Sequence, residues 1–140
     1  MASDRLVLDA SYALEAILPT SSQWQLEALA LIDRIAGGDV DAQVPWIFFA
    51  EVAATVTRKT RGRQLDVQRA RVFLETIDTL SLQVDAARHR SLAMHDAALR
   101  WHAGAADAVY LDLAVRLAVP VATRDRGMLT AARSAGLAVY

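Results

Sequence analysis

Apolar positions along the chain come in two alternating textures. Short runs that end against an acid or a proline alternate with longer segments whose apolar residues recur every three or four positions. "LVLD", the short "QVP", "LSLQVD", "VPVATRD" and the closing "LAVY" read as strands, the third as an edge strand and the fourth by its β-branched residues. Helical spacing covers residues 11–18, stopped by Pro19, then residues 22–38, closed by glycines, and residues 47–59 and 65–80. It returns over residues 86–102, 106–118 and 126–136, the last closed by a glycine. Strands separated by helices imply a sheet covered on both faces. The expected fold is therefore a three-layer α/β/α sandwich with a central, mostly parallel sheet, built as a single domain over residues 1–140.

Composition narrows the function classes. With 54% hydrophobic and 22% charged residues the chain can fill a core, so disorder is excluded. The longest apolar stretch, "VPWIFFAEVAATV", is shorter than the roughly 18 residues a spanning helix needs, and it contains Glu51. No membrane span and no secretion signal is expected. The chain has no cysteine, which removes disulfides and thiolate metal sites and is compatible with a cytoplasmic location. A net charge of −1 gives no global pull on a polyanion. Nucleic-acid binding must come from a local patch.

The acids at element ends carry the chemistry. Asp9 ends the first strand, Asp125 ends the "VPVATRD" strand, Asp107 opens a helix, and Glu51 lies on the helix after Pro45. In α/β sheets, sites form outside the carboxyl ends of the strands, so these four can converge on one edge. Taken singly, Asp125 could cap the following helix and Asp107 would suit a helix dipole whatever its role. Glu51 is harder to place, because Phe48, Phe49, Val52 and Ala54 make its helix apolar nearly all round. Gathered carboxylates repel one another unless a cation neutralises them. An all-oxygen donor set without histidine or cysteine suits Mg²⁺ or Mn²⁺, ions that position and acidify a water for attack on a phosphodiester. The Ser11 hydroxyl is close enough in sequence to orient Asp9 or a bound water.

With those residues in view, the chain resembles a PIN-domain ribonuclease of the VapC toxin type. The likeness is carried by "LVLDASYAL", "PWIFFAEVAATVTRKTRGR", "AADAVYLDLA" and "VPVATRDRGMLTAARSAGLAV", the last with its Thr-x-Asp at a strand end. What the resemblance implies is a PIN-like fold, with Asp9, Glu51, Asp107 and Asp125 as the catalytic metal-binding acids and Thr123 as an auxiliary hydroxyl beside Ser11. It also implies Mg²⁺-dependent cleavage of RNA, Mn²⁺ substituting, and restraint by a cognate antitoxin. Two features depart from the family pattern: Asp112, where an apolar or small residue is usual, and the arginines Arg124 and Arg126 on either side of Asp125.

Other residues have weaker claims. Arg58, Lys59, Arg61 and Arg63 pack four cations into six residues between two helices, either as a phosphate-binding patch or as a solvated loop. Trp101 reads as core or interface, with base stacking as the alternative. His89, His95 and His102 lack the i, i+4 spacing of a helical zinc pair and read as structural or surface residues. Asp112 is expected to form an exposed ion pair with Arg116 and to be expendable. The helices over residues 11–18, 24–36 and 47–56 carry more apolar residues than a small domain readily buries, so a groove for an antitoxin segment and a homodimer surface are both expected. A phosphoryl-accepting receiver is disfavoured, since the only lysine is Lys59. A strand-end phosphatase would want an aspartate where Ser11 stands, and no phosphate-cradling glycine loop is present. The surviving alternative is a noncatalytic PIN-like module that uses its acidic pocket to bind a basic partner.

Overall fold

The computed structural model of the chain describes residues 4–140. Its elements run β1 (Asp4–Leu8), α1 (Ala10–Leu14), α2 (Ser22–Ala36), β2 (Val40–Val44), α3 (Phe48–Arg61), α4 (Val67–Thr79), β3 (Gln83–Val84), α5 (Ser91–Trp101), α6 (Ala105–Leu117), β4 (Val121–Ala122) and α7 (Arg126–Ser134). The sheet has four strands in the order β3-β2-β1-β4, all parallel. Leu6 pairs with Ala42 on one side of β1, and Val7 pairs with Val121 on the other. β1 is thus interior and covered on both faces, which is why Leu6, Val7 and Leu8 are all apolar and all buried.

The helices fall into two packing groups. α1 packs on α2 and α3, α3 packs on α4, and α2 packs on β2, whereas α5, α6 and α7 pack together with α6 lying on β1. These are the outer layers of the expected α/β/α sandwich. Each presents a stripe to the sheet: on α3, Phe48, Val52 and Val56 recur every fourth residue and are almost fully buried. Burying three such side chains contributes about 1.5–3 kcal/mol apiece against the entropy of ordering the helix. α6 is the most enclosed, with Ala108 through Leu111 all buried. Ser21 caps α2 through the Trp24 amide and Asp66 caps α4 through the Arg69 amide, while Gly38, at φ +85°, turns the chain out of α2. Among the described residues, no helix is long and apolar enough to cross a membrane.

Several elements are shorter than the sequence expectation. The helix over residues 11–18 stops at Leu14, because the buried Glu15 carboxylate accepts from the Thr20 amide and hydroxyl, both at 2.8 Å, and draws the segment into turns. The helix over residues 86–102 begins only at Ser91. Asp85, bound by Arg116 at 2.7 and 3.0 Å, and His89, which reaches Asp112, hold the preceding residues extended along α6. The strand over residues 119–125 pairs only at Val121 and Ala122, and the terminal strand reduces to a single bridge between Val121 and Val139.

Asp112 also departs from expectation. Arg116 is taken by Asp85, and Asp112 instead receives the Trp101 indole N–H at 3.1 Å, His89 Nε2 at 3.2 Å and Arg100 Nη1 at 3.3 Å. Burial alone would raise its carboxyl, yet the hydrogen bonds from Trp101 and His89 and the charge of Arg100 hold it below the usual range. The same bond commits the half-buried Trp101 to the α5–α6 contact, so it is a structural residue and not a free stacking platform. Asp112→Ala, which strands these partly buried donors, is expected to cost about 1–3 kcal/mol in urea unfolding. A loss below about 0.5 kcal/mol, the usual range for an uninvolved surface position, would show that the network does not hold α5.

Candidate functional site

Chain order and strand order together single out one crevice. From β1 the chain moves outward to β2 and β3, then crosses back to place β4 on the other side of β1. The order reverses between β1 and β4, and in open parallel sheets that reversal opens a crevice at the carboxyl ends of the two strands. Asp9 follows the last residue of β1, and Thr123 follows the last residue of β4. Glu51 sits in the first turn of α3, which follows β2, and Asp107 in the first turn of α6, which precedes β4.

Asp9 is the anchor. It is 5% exposed, its amide donates to the Ala122 carbonyl at 2.9 Å, and its carboxylate does not cap α1. Instead Oδ2 accepts from the Ser11 hydroxyl and from the Thr123 hydroxyl at 2.8 Å. Burial pushes its carboxyl up, with the Asp125 charge adding to the rise, while the Ser11 and Thr123 hydroxyls oppose it. Both auxiliary hydroxyls named from the sequence therefore bind the first acid directly. Asp125 caps α7, its Oδ1 accepting the Met128 amide at 2.8 Å, so capping and proximity to the site belong to the same carboxylate. A side chain at Gly127 would meet that Oδ1 at 3.2 Å, so the turn favours glycine there.

Glu51 is half-buried. Its Oε1 accepts the Tyr110 hydroxyl at 2.5 Å, and its carboxyl is raised by burial, with the Asp9 charge adding to the rise. Tyr110 is fully enclosed, and burial with the nearby Asp9 charge pushes its hydroxyl far up, so it acts as a fixed donor. This residue was missed from the sequence. The available signal was helix phase, since Tyr110 lies three residues after Asp107 and hence on the same face of α6. Asp107 itself is pushed up to about 6, first by burial and then by Asp125, Asp9 and Glu51. Asp107 thus lies within electrostatic reach of the other three acids.

The donor set is all oxygen and mutually repelling, which fits a hard divalent cation in kind and charge. Among the described residues, however, no group of three or more His, Cys, Asp or Glu side chains is arranged to hold a metal ion as it stands. The basic patch lies farther along α3. Arg58, Lys59 and Arg61 occupy its last turns, where the helix dipole favours cations, and only Arg63 stands beyond, at φ +57°. The helix therefore runs two residues beyond the Lys59 expected, and the segment is mostly helix.

A separate groove of about 390 Å³ runs between α2 and α4, lined by Ala16, Ile17, Leu29, Ile32, Val72 and Phe73 among others. An apolar groove was expected among the first three helices. α4 takes the place assigned to α3, whose apolar stripe is spent on the core.

Solved structures share this architecture, two of them as follows. The crystal structure of PAE2754 from Pyrobaculum aerophilum is 17% identical, with a TM-score of 0.66 over 94% of this chain and 81% of that one. The crystal structure of FitAcB from Neisseria gonorrhoeae is 21% identical, with a TM-score of 0.58 over 96% of both chains. No family model matches the sequence, and no curated protein matches it either. At these identities the likeness is one of fold, and that fold is the three-layer α/β/α sandwich with a central parallel sheet expected from the sequence.

The raised Asp107 carboxyl has a consequence for stability. Its folded value of about 6 lies above the unfolded value near 3.8, so between the two the native state binds the extra proton. Stability contributed by this residue is present below the lower value and lost as pH rises through the upper one. In chelator-treated protein, Asp107→Asn is expected to raise the melting temperature by a few degrees at pH 7.5 and to leave it unchanged at pH 3.5. A variant less stable than the parent at pH 7.5 would contradict the crowding of acids.

Proposed function

We propose that this chain is a Mg²⁺-dependent endoribonuclease acting as the VapC-type toxin of a toxin–antitoxin pair. What supports the reading is the placement of Asp9, Glu51, Asp107 and Asp125 at or just beyond the carboxyl ends of the parallel strands, with Asp107 raised to about 6 by burial first and by the other three charges after it. These four would hold the ion. A divalent cation bound there supplies charge neutralisation at the phosphodiester and an acidified water.

The chain's own residues do the rest. Ser11 and Thr123 fix the orientation of Asp9, and Tyr110 fixes that of Glu51. Asp107, raised to about 6 in the metal-free chain, would give up its proton when the cation binds. Arg58 follows Glu51 by seven residues on α3, which places it about 10.5 Å along the axis and within about 20° of the same face. With Lys59, Arg61 and Arg63 it would receive RNA phosphates next to the acids, so binding should weaken steeply with salt.

The α2–α4 groove suits an amphipathic antitoxin helix, because Leu29 and Val72 remain 43% and 63% exposed at its rim. Leu92 and Leu99, one heptad apart on α5 and both exposed, are the surface a homodimer would bury.

RNA incubated with purified protein should be cut only when Mg²⁺ or Mn²⁺ is added, and Asp9→Asn or Asp107→Asn should remove the cutting. Metal at about 100 times its dissociation constant should also stabilise the fold by roughly 2.7 kcal/mol. Protein that binds RNA or a basic peptide but cuts nothing at any metal concentration would instead establish the noncatalytic module.

A further inference from the structure

Arg124 interrupts the acidic strand end, and its side chain does not turn toward the acids. The guanidinium is 18% exposed and paired with Glu27 on α2. Its carbon lies 4.5 Å from the Tyr12 ring centroid and 4.9 Å from that of Trp24, between an aromatic from α1 and one from α2. The Nε atom is buried without a hydrogen-bond partner, so the placement is made by stacking and by Glu27, and one donor goes unsatisfied to achieve it.

The backbone of the same residue faces the other way. The Arg124 amide donates to Ser11 Oγ at 2.9 Å, Ser11 Oγ lies 3.2 Å from Thr123 Oγ1, and both hydroxyls bind Asp9 Oδ2. The Asp125 amide donates to Thr123 Oγ1 at 3.1 Å. The three residues after β4 are thus each tied to the acid cluster, yet the ladder of β4 ends before them, at Ala122. Sheet pairing does not hold this turn.

We propose that Arg124 is a positioning residue: its guanidinium, clamped by Tyr12, Trp24 and Glu27, holds the Thr123–Asp125 turn so that the Ser11 and Thr123 hydroxyls stay on Asp9. The inference deepens the metal-site reading and rests on it for its functional consequence. Lysine keeps the charge but loses the planar stack and the fork, so it cannot substitute.

The test compares Arg124→Lys and Arg124→Met with Ile77→Val, a core change on α4 away from the site that controls for lost stability. Two readouts are taken on each purified chain: amide hydrogen exchange at residues 123–125 without metal, and the Mn²⁺ dissociation constant. Both Arg124 variants should exchange faster at those amides than the control of equal melting temperature, and should bind Mn²⁺ about 10–100-fold more weakly, the usual effect of losing an outer-shell partner. Exchange and affinity that track melting temperature alone, as in Ile77→Val, would reduce Arg124 to ordinary packing and overturn the proposal. If the parent chain itself binds no Mn²⁺, the metal-site reading fails, and the exchange arm still decides whether Arg124 holds the turn.

Discussion

The constraint on which the structure turns is the repulsion among carboxylates gathered at the end of the sheet. Asp9 is 5% exposed, and its carboxylate is held by the Ser11 and Thr123 hydroxyls. An ionised carboxylate in that setting forgoes hydration that two neutral donors only partly replace. Asp125, Asp107 and Glu51 add charge of the same sign nearby. A fold selected for stability alone would place apolar residues here. The native state carries this strain in the manner of sites where binding or chemistry has to happen.

Topology is what makes that gathering possible. Four parallel strands point their carboxyl ends the same way, and the reversal between β1 and β4 leaves the crevice uncovered by a crossover. The two walls differ in how they are held. The β1 wall continues from an interior strand paired on both sides, whereas the β4 wall follows a two-residue strand and depends on side-chain bonds through Ser11, Thr123 and Arg124. Tyr110 bridges the layers, carrying the phase of α6 to the acid on α3.

Much of this was legible in the sequence because it rests on local rules. An apolar triplet ending in Asp9 could hardly be anything but a buried parallel strand, and the acids at element ends followed from the strand-end rule. What was not legible depended on distant partners. Asp112 looked like half of an i, i+4 pair with Arg116, but Asp85, far away in sequence, takes that arginine. Arg124 looked like a perturbation of the acids, and only the positions of Tyr12, Trp24 and Glu27 show its charge spent elsewhere. Propensity and period report on neighbours along the chain, and these outcomes were set by neighbours in space.

The central claim, that the clustered acids form a cation site, is tested most directly by the protons that leave when the cation binds. Calorimetric titration of Mn²⁺ into metal-free protein, repeated in buffers of different ionisation enthalpy, counts those protons at each pH. With Asp107 titrating at about 6 and Asp9 and Glu51 also raised, binding at pH 6 should expel more protons than binding at pH 8. Binding with no proton release at pH 6, or no saturable heat at either pH, would contradict the account.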